Sequence, residues 1–187
     1  MRWLAIVLVP VALLWGWQSL RLHQNEDRLA LVAGAVSQRE VGISCPGFWT
    51  RLVEITPNAG WVDFGADGKP GDHANLSSKT CEHLERFAHS DGEKPLDEAT
   101  AMALVTLAHE SFHLAGIFNE AQTQCYAVQM TELVTLRLGG SLANARASAL
   151  WAVASAPEVL PSEYWDAGHC RDGGTWDLRP RSPAWPS

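Results

Sequence analysis

The sequence predicts a mainly α domain with one or two short strands, behind an apolar N-terminal segment. Leu96 to Ala115 and Glu120 to Leu138 contain neither Gly nor Pro, and each runs up to a Gly, the pattern of helices with defined stops. Gln18 to Val41 continues in helical style, with Leu22, Leu29, Val32 and Val36 recurring at helical intervals among charges. Strand signals are sparse. The clearest is Trp61-Val62-Asp63-Phe64, set between Gly60 and Gly65. A length of 187 residues suits one compact domain plus an appendage.

Trp3 to Trp17 reads WLAIVLVPVALLWGW without a charge, after Met1 and Arg2. Residues 1–20 are therefore expected to be a signal anchor or a signal peptide. Trp15, Gly16 and Trp17 fit a cleavage site poorly, and the small residues Ala33-Gly34-Ala35 lie behind charges, so the uncleaved anchor is preferred. The main domain then lies across a membrane, and is secreted if the segment is cleaved. Residues 21–41 read as a juxtamembrane helix or stalk, 42–178 as the extracytoplasmic domain and 179–187 as a Pro/Trp-rich tail.

Within the domain, Gly42 to Pro46 breaks the helical pattern, and Phe48 to Ile55 reads as a strand or a helical turn. Gly65 to Gly68 reads as a turn. Ser78 to Phe87 is expected to be a brief helix capped by Ser77 or Ser78. Asp97 and Glu98 suit the start of the Leu96–Ala115 helix. Ser141 opens a further helix to about Ala154, ahead of Pro157, and Ser162 opens a short one.

A net charge of −7 argues against nucleic acid as a partner, which calls for a basic stripe to displace phosphate counterions. Cys45, Cys81, Cys125 and Cys170 are even in number, widely spaced and free of any CxxC pair. They read as two disulfides in an oxidising compartment. Of the three possible pairings, Cys45 with Cys81 and Cys125 with Cys170 is preferred, because it puts one bridge on each side of the helix that carries the chemistry.

That helix contains His109-Glu110-Ser111-Phe112-His113, an HExxH motif. Two histidines at i and i+4 project from one helix face and can aim a ring nitrogen each at one Zn²⁺. The acid beside the first histidine is then placed to act as a general base. A zinc site also needs a third protein ligand. On one unbroken helix Glu120 would lie about 10 Å along the axis from His113, out of reach; a reversal over Gly116 to Asn119 would fold it back. Glu120 is the expected third ligand, with Asn119, Glu132 and His169 as substitutes. Tyr126, Tyr164 and His169 are candidates to stabilise an oxyanion. His23, His73, His83 and His89 show no ligand spacing.

From Ala101 to Gln129 the chain resembles the zincin metallopeptidases. The HExxH carries the likeness, and the placement of Gly116 is similar to that in the metzincins, HExxHxxGxxH. The chain departs from them at Asn119, which stands where their third histidine would. Glu120, opening the next helix, is more like the carboxylate of the gluzincins, as is the segment Glu120-Ala121-Gln122-Thr123-Gln124-Cys125-Tyr126-Ala127. The resemblance implies an HExxH helix packed on the following helix. It also implies a zinc-dependent hydrolase of peptide or amide bonds, with His109, His113 and Glu120 as ligands, Glu110 as the base and a peptide or protein as substrate. The alternative is a non-catalytic zincin-like domain that binds a protein partner or uses zinc as a brace. Oligomeric state is left open.

Overall fold

The computed structural model describes residues 2–47, 50 and 58–186, the side chains of 2–15 and 17–19 excepted. Among the described residues there are five helices and three short strands. The order is α1 (Arg2–Ser37), β1 (Gly42–Ser44), β2 (Gly60–Phe64), β3 (Pro70–Leu76), α2 (Ser78–Ala88), α3 (Glu98–Leu114), α4 (Glu120–Arg137) and α5 (Leu142–Val159). A 3-10 turn, Ser162–Tyr164, follows. The domain is thus mainly helical with a small sheet, as the sequence leads one to expect. The proposed segment at Phe48 to Ile55 and the apolar side chains of the N-terminal stretch lie outside the described residues. Among the described residues no helix is long and apolar enough to cross a membrane.

Helix starts follow local chemistry. Ser77, Asp97, Asn119 and Ser141 each precede a helix in extended backbone, and each side chain accepts a hydrogen bond from the amide three residues on. This satisfies a helix-end N–H that has no partner inside the helix. Pro157 does not end α5 but lies within its last turn.

The sheet has the order β1-β3-β2. β1 pairs parallel with β3, placing Ile43 opposite Ala74. β2 pairs antiparallel with β3, with Val62 opposite Ala74 and a register irregularity between Val62 and Phe64. The Gly65–Lys69 turn joins them, with Gly68 at φ +72°. β2 is therefore an edge strand.

Helix α3 is the central element, packed against α1, α2, α4, β2 and β3. Leu104, Leu107, Ala108 and Leu114 on it are wholly buried. The second half of α1 belongs to the same core, through buried Leu29, Val32, Ala33 and Val36. The stretch read from sequence as a stalk is thus packed into the domain. Arg28 of α1 and Arg39, just past its end, reinforce this. Arg28 donates to the carbonyls of Ala88 (2.6 Å) and Leu138 (2.9 Å), at the ends of α2 and α4. Arg39 donates to the Leu114 carbonyl at the end of α3 (2.5 Å). Carbonyls in the last turn of a helix lack intrahelical donors, and cations there also complement the helix dipole. The disulfides Cys45–Cys81 and Cys125–Cys170 tie the segment after β1 to α2 and the C-terminal loop to α4. No cysteine is free, and the pairing is the one preferred from the sequence.

Because Arg28 holds two helix ends at once, Arg28→Ala is expected to cost about 1–3 kcal/mol of unfolding free energy. Arg28→Lys should recover only part of it, since an ammonium lacks the planar fork. Urea denaturation checks this; an unchanged midpoint for Arg28→Ala would show that the clamp contributes nothing.

Candidate metal centre

His109 and His113 lie one turn apart on α3, both buried, with ring centroids 4.6 Å apart. The helix then ends in a turn that decides the geometry. Gly116, at φ +92°, donates its N–H to the His113 carbonyl (2.9 Å), and Ile117 donates to the Phe112 carbonyl (3.1 Å). This pair of bonds is a Schellman motif, which needs a left-handed residue and favours glycine. The reversal brings Asn119 and Glu120 back beside the helix they left, and Glu120 opens α4 facing both histidines.

Glu120 Oε2 lies 3.1 Å from His109 Nε2 and 3.3 Å from His113 Nε2. Two ligands of a tetrahedral ion at about 2.05 Å are themselves roughly 3.3 Å apart, so both distances match edges of one coordination tetrahedron. Among the described residues these three side chains alone form such a group, with ligand atoms all within 4.8 Å of one another. The donor set of two imidazoles and a carboxylate can hold a metal ion.

The outer nitrogens explain why the inner ones converge. His113 Nδ1 faces the Ile117 carbonyl at 2.8 Å. A carbonyl only accepts, so Nδ1 carries the proton and neutral His113 turns a bare Nε2 lone pair toward Glu120. A lone pair against a carboxylate at 3.3 Å is repulsive unless a cation, proton or metal, sits between them. His109 Nδ1 is held in the same sense by Gln124 Oε1 at 2.9 Å. Such outer partners fix ring orientation in metal sites.

The titration behaviour agrees. Hydrogen bonds from His109, then His113, hold Glu120 down to about 2. Burial disfavours a charged His113, but bonds to Glu120 and the Ile117 carbonyl and the nearby Glu110 charge outweigh it, and its pKa is raised. Burial raises Glu110, opposed by charge on His109 and His113 and assisted by Glu120.

These residues line a cleft of about 400 Å³ between α3, β2 and Leu160–Tyr164. Glu110 lines it, and its Oε2 is buried without a hydrogen-bond partner among the described residues. Gly60 makes room for it: a Cβ there would stand 2.8 Å from both Glu110 Cγ and Oε1. Tyr164 forms part of the opposite wall, stacked on His109 at 5.8 Å. Burial, then Glu120 and Glu110, raises its pKa, so the phenol keeps its proton.

The other candidates from the sequence lie elsewhere. Asn119 spends its side chain capping α4. Glu132 sits three turns further along α4, roughly 18 Å from Glu120. His169 is bonded to Asp166 (2.7 Å) and stacked on Trp176. Tyr126 packs on Phe112, and its hydroxyl accepts from Gln122. His23, His73, His83 and His89 make local bonds to Glu26, Asp72, Thr100 and the Glu85 carbonyl. Three contributors were not singled out from sequence: Gln124, the Ile117 carbonyl and Gly60. Gln124 was findable, since it stands four residues after Glu120 on the same helix face. No family model matches the chain, and neither curated proteins nor solved structures yield a match to it.

A proton on His113 occupies the position a metal takes. Affinity for zinc, followed by calorimetry on the metal-free chain, is therefore expected to hold steady at high pH. It should fall as pH drops through the raised His113 value, with protons released on binding. Affinity that stays flat between about pH 5 and 8 would contradict the arrangement.

Proposed function

We propose that this chain is a membrane-tethered, zinc-dependent hydrolase of the zincin type, acting on peptide or amide bonds outside the cytoplasm. The observation that carries this reading is that Glu110 Oε2, without a hydrogen-bond partner among the described residues, shares a cleft with the convergence point of His109, His113 and Glu120. An acceptor left bare in a buried position is costly, and a base must be free to accept a proton.

His109, His113 and Glu120 would hold the ion, and two nitrogens with one carboxylate suit Zn²⁺. Bound there, zinc supplies Lewis acidity, polarising the scissile carbonyl and acidifying water. Glu110, its Oε2 free, would accept a proton from the attacking water and pass it to the departing amine. Tyr164, protonated and beside His109, donates a hydrogen bond to the oxygen on which negative charge develops. Gln124 and the Ile117 carbonyl keep the two rings aimed.

The brace alternative is less well supported. A structural zinc is closed by four protein ligands, whereas three converge here at the wall of a cleft large enough for substrate. The extracytoplasmic setting draws support from the two disulfides and from the charge-free run Trp3 to Trp17.

Glu110 and Glu120 are assigned different tasks, and mutation separates them. Glu110→Gln should retain zinc while hydrolysis of a peptide library falls by about 10²–10⁴-fold. Glu120→Ala should lose zinc itself. Zinc content and cleavage products, measured side by side, check this. Wild-type zinc content in Glu120→Ala would remove the third ligand, and full activity in Glu110→Gln would remove the base.

A further inference from the structure

Beyond the catalytic groups, one feature of the cleft remains exposed. Phe64 and Phe118 are large aromatic side chains, 39% and 52% exposed, with rings 4.7 Å apart at 40°. They come from separate parts of the chain. Phe64 ends edge strand β2, just past its register irregularity, and Phe118 follows the Gly116 turn. Phe64 also lines the cleft and meets the His113 ring edge-on at 6.0 Å. The pair is therefore a shelf that starts at a metal ligand and runs outward from the site.

We propose that this shelf is a specificity subsite, which receives an aromatic or large aliphatic side chain of a peptide substrate. This rests on the peptidase reading above. Contact sets the position. Phe64 meets the ring of a proposed ligand edge-on at 6.0 Å, so the recognised side chain belongs to a residue flanking the scissile bond. Chemistry sets the class. Half-exposed phenyl faces gain from covering by another apolar or aromatic group, and two rings from different elements make a wider platform than either alone. The remaining cleft wall on this side, Trp61 and Val62 of β2, continues the apolar character.

The test is cleavage of two matched peptide pools by the zinc-loaded full chain, one fixed as Phe and the other as Ala beside the expected cut, with products sequenced by mass spectrometry. The Phe pool should be cut preferentially. Phe118→Ala should lower the Phe-to-Ala preference about three- to tenfold, and Phe118→Leu should keep most of it. Since Phe118 is half-exposed, its thermal melt shows directly whether the variant is folded. Cleavage without preference, or a preference unchanged in folded Phe118→Ala, overturns the subsite and leaves the hydrolase reading standing. If the wild type cuts neither pool, the hydrolase reading fails and takes the subsite with it.

Discussion

The site depends on one bond, the one from His113 Nδ1 to the carbonyl of Ile117. It fixes which nitrogen of His113 is bare, and it aims that nitrogen at Glu120. The bond exists because the chain reverses within a few residues of the helix end, through a turn that Gly116 makes possible at positive φ. The same turn carries Glu120 back from a position about 10 Å along the axis. Ligand orientation and ligand supply therefore share a single backbone event, and a non-glycine residue at Gly116 would strain both.

The surroundings hold this turn in place. Arg39 seizes the carbonyl of Leu114 immediately before it, and Arg28 fixes the far end of α4. Helix α3 is buried on nearly every side, so the histidine pair sits on an enclosed, packed element, the kind of support that preorganises metal ligands. Tension in the site is electrostatic. Two imidazoles and two carboxylates meet in a largely buried space: burial raises Glu110, while hydrogen bonds from the histidines lower Glu120. Phe64 and Phe118 add exposed aromatic surface beside it.

Much of this was legible in the sequence, for identifiable reasons. The HExxH spacing is a property of helical geometry, and Gly116 marked where the helix must stop. Ser77 and Ser141 were legible as helix starts because their hydroxyls compete for helix-end amides, whereas Asn119, weighed as a ligand, proves to be a cap. Other features depend on tertiary context. Pro70–Leu76 carries little strand propensity and becomes β3 because it is paired on both sides. The spacing of Leu29, Val32 and Val36 announced a helix with an apolar face, but not that the face was buried in this domain. Tyr126, Tyr164 and His169 looked equivalent along the chain. Only the return of the chain after α5 selects Tyr164. Gly60 reads as a turn residue until Glu110 is seen to fill the space its side chain would need.

The convergence of His109, His113 and Glu120 on one ion is most directly tested by X-ray absorption at the zinc edge of the loaded full-length chain. The account predicts one zinc per chain with two imidazole nitrogens, carboxylate and solvent oxygen at about 2.0–2.2 Å, and no sulfur. Sulfur scattering at about 2.3 Å, or a first shell without the two imidazoles, would contradict it.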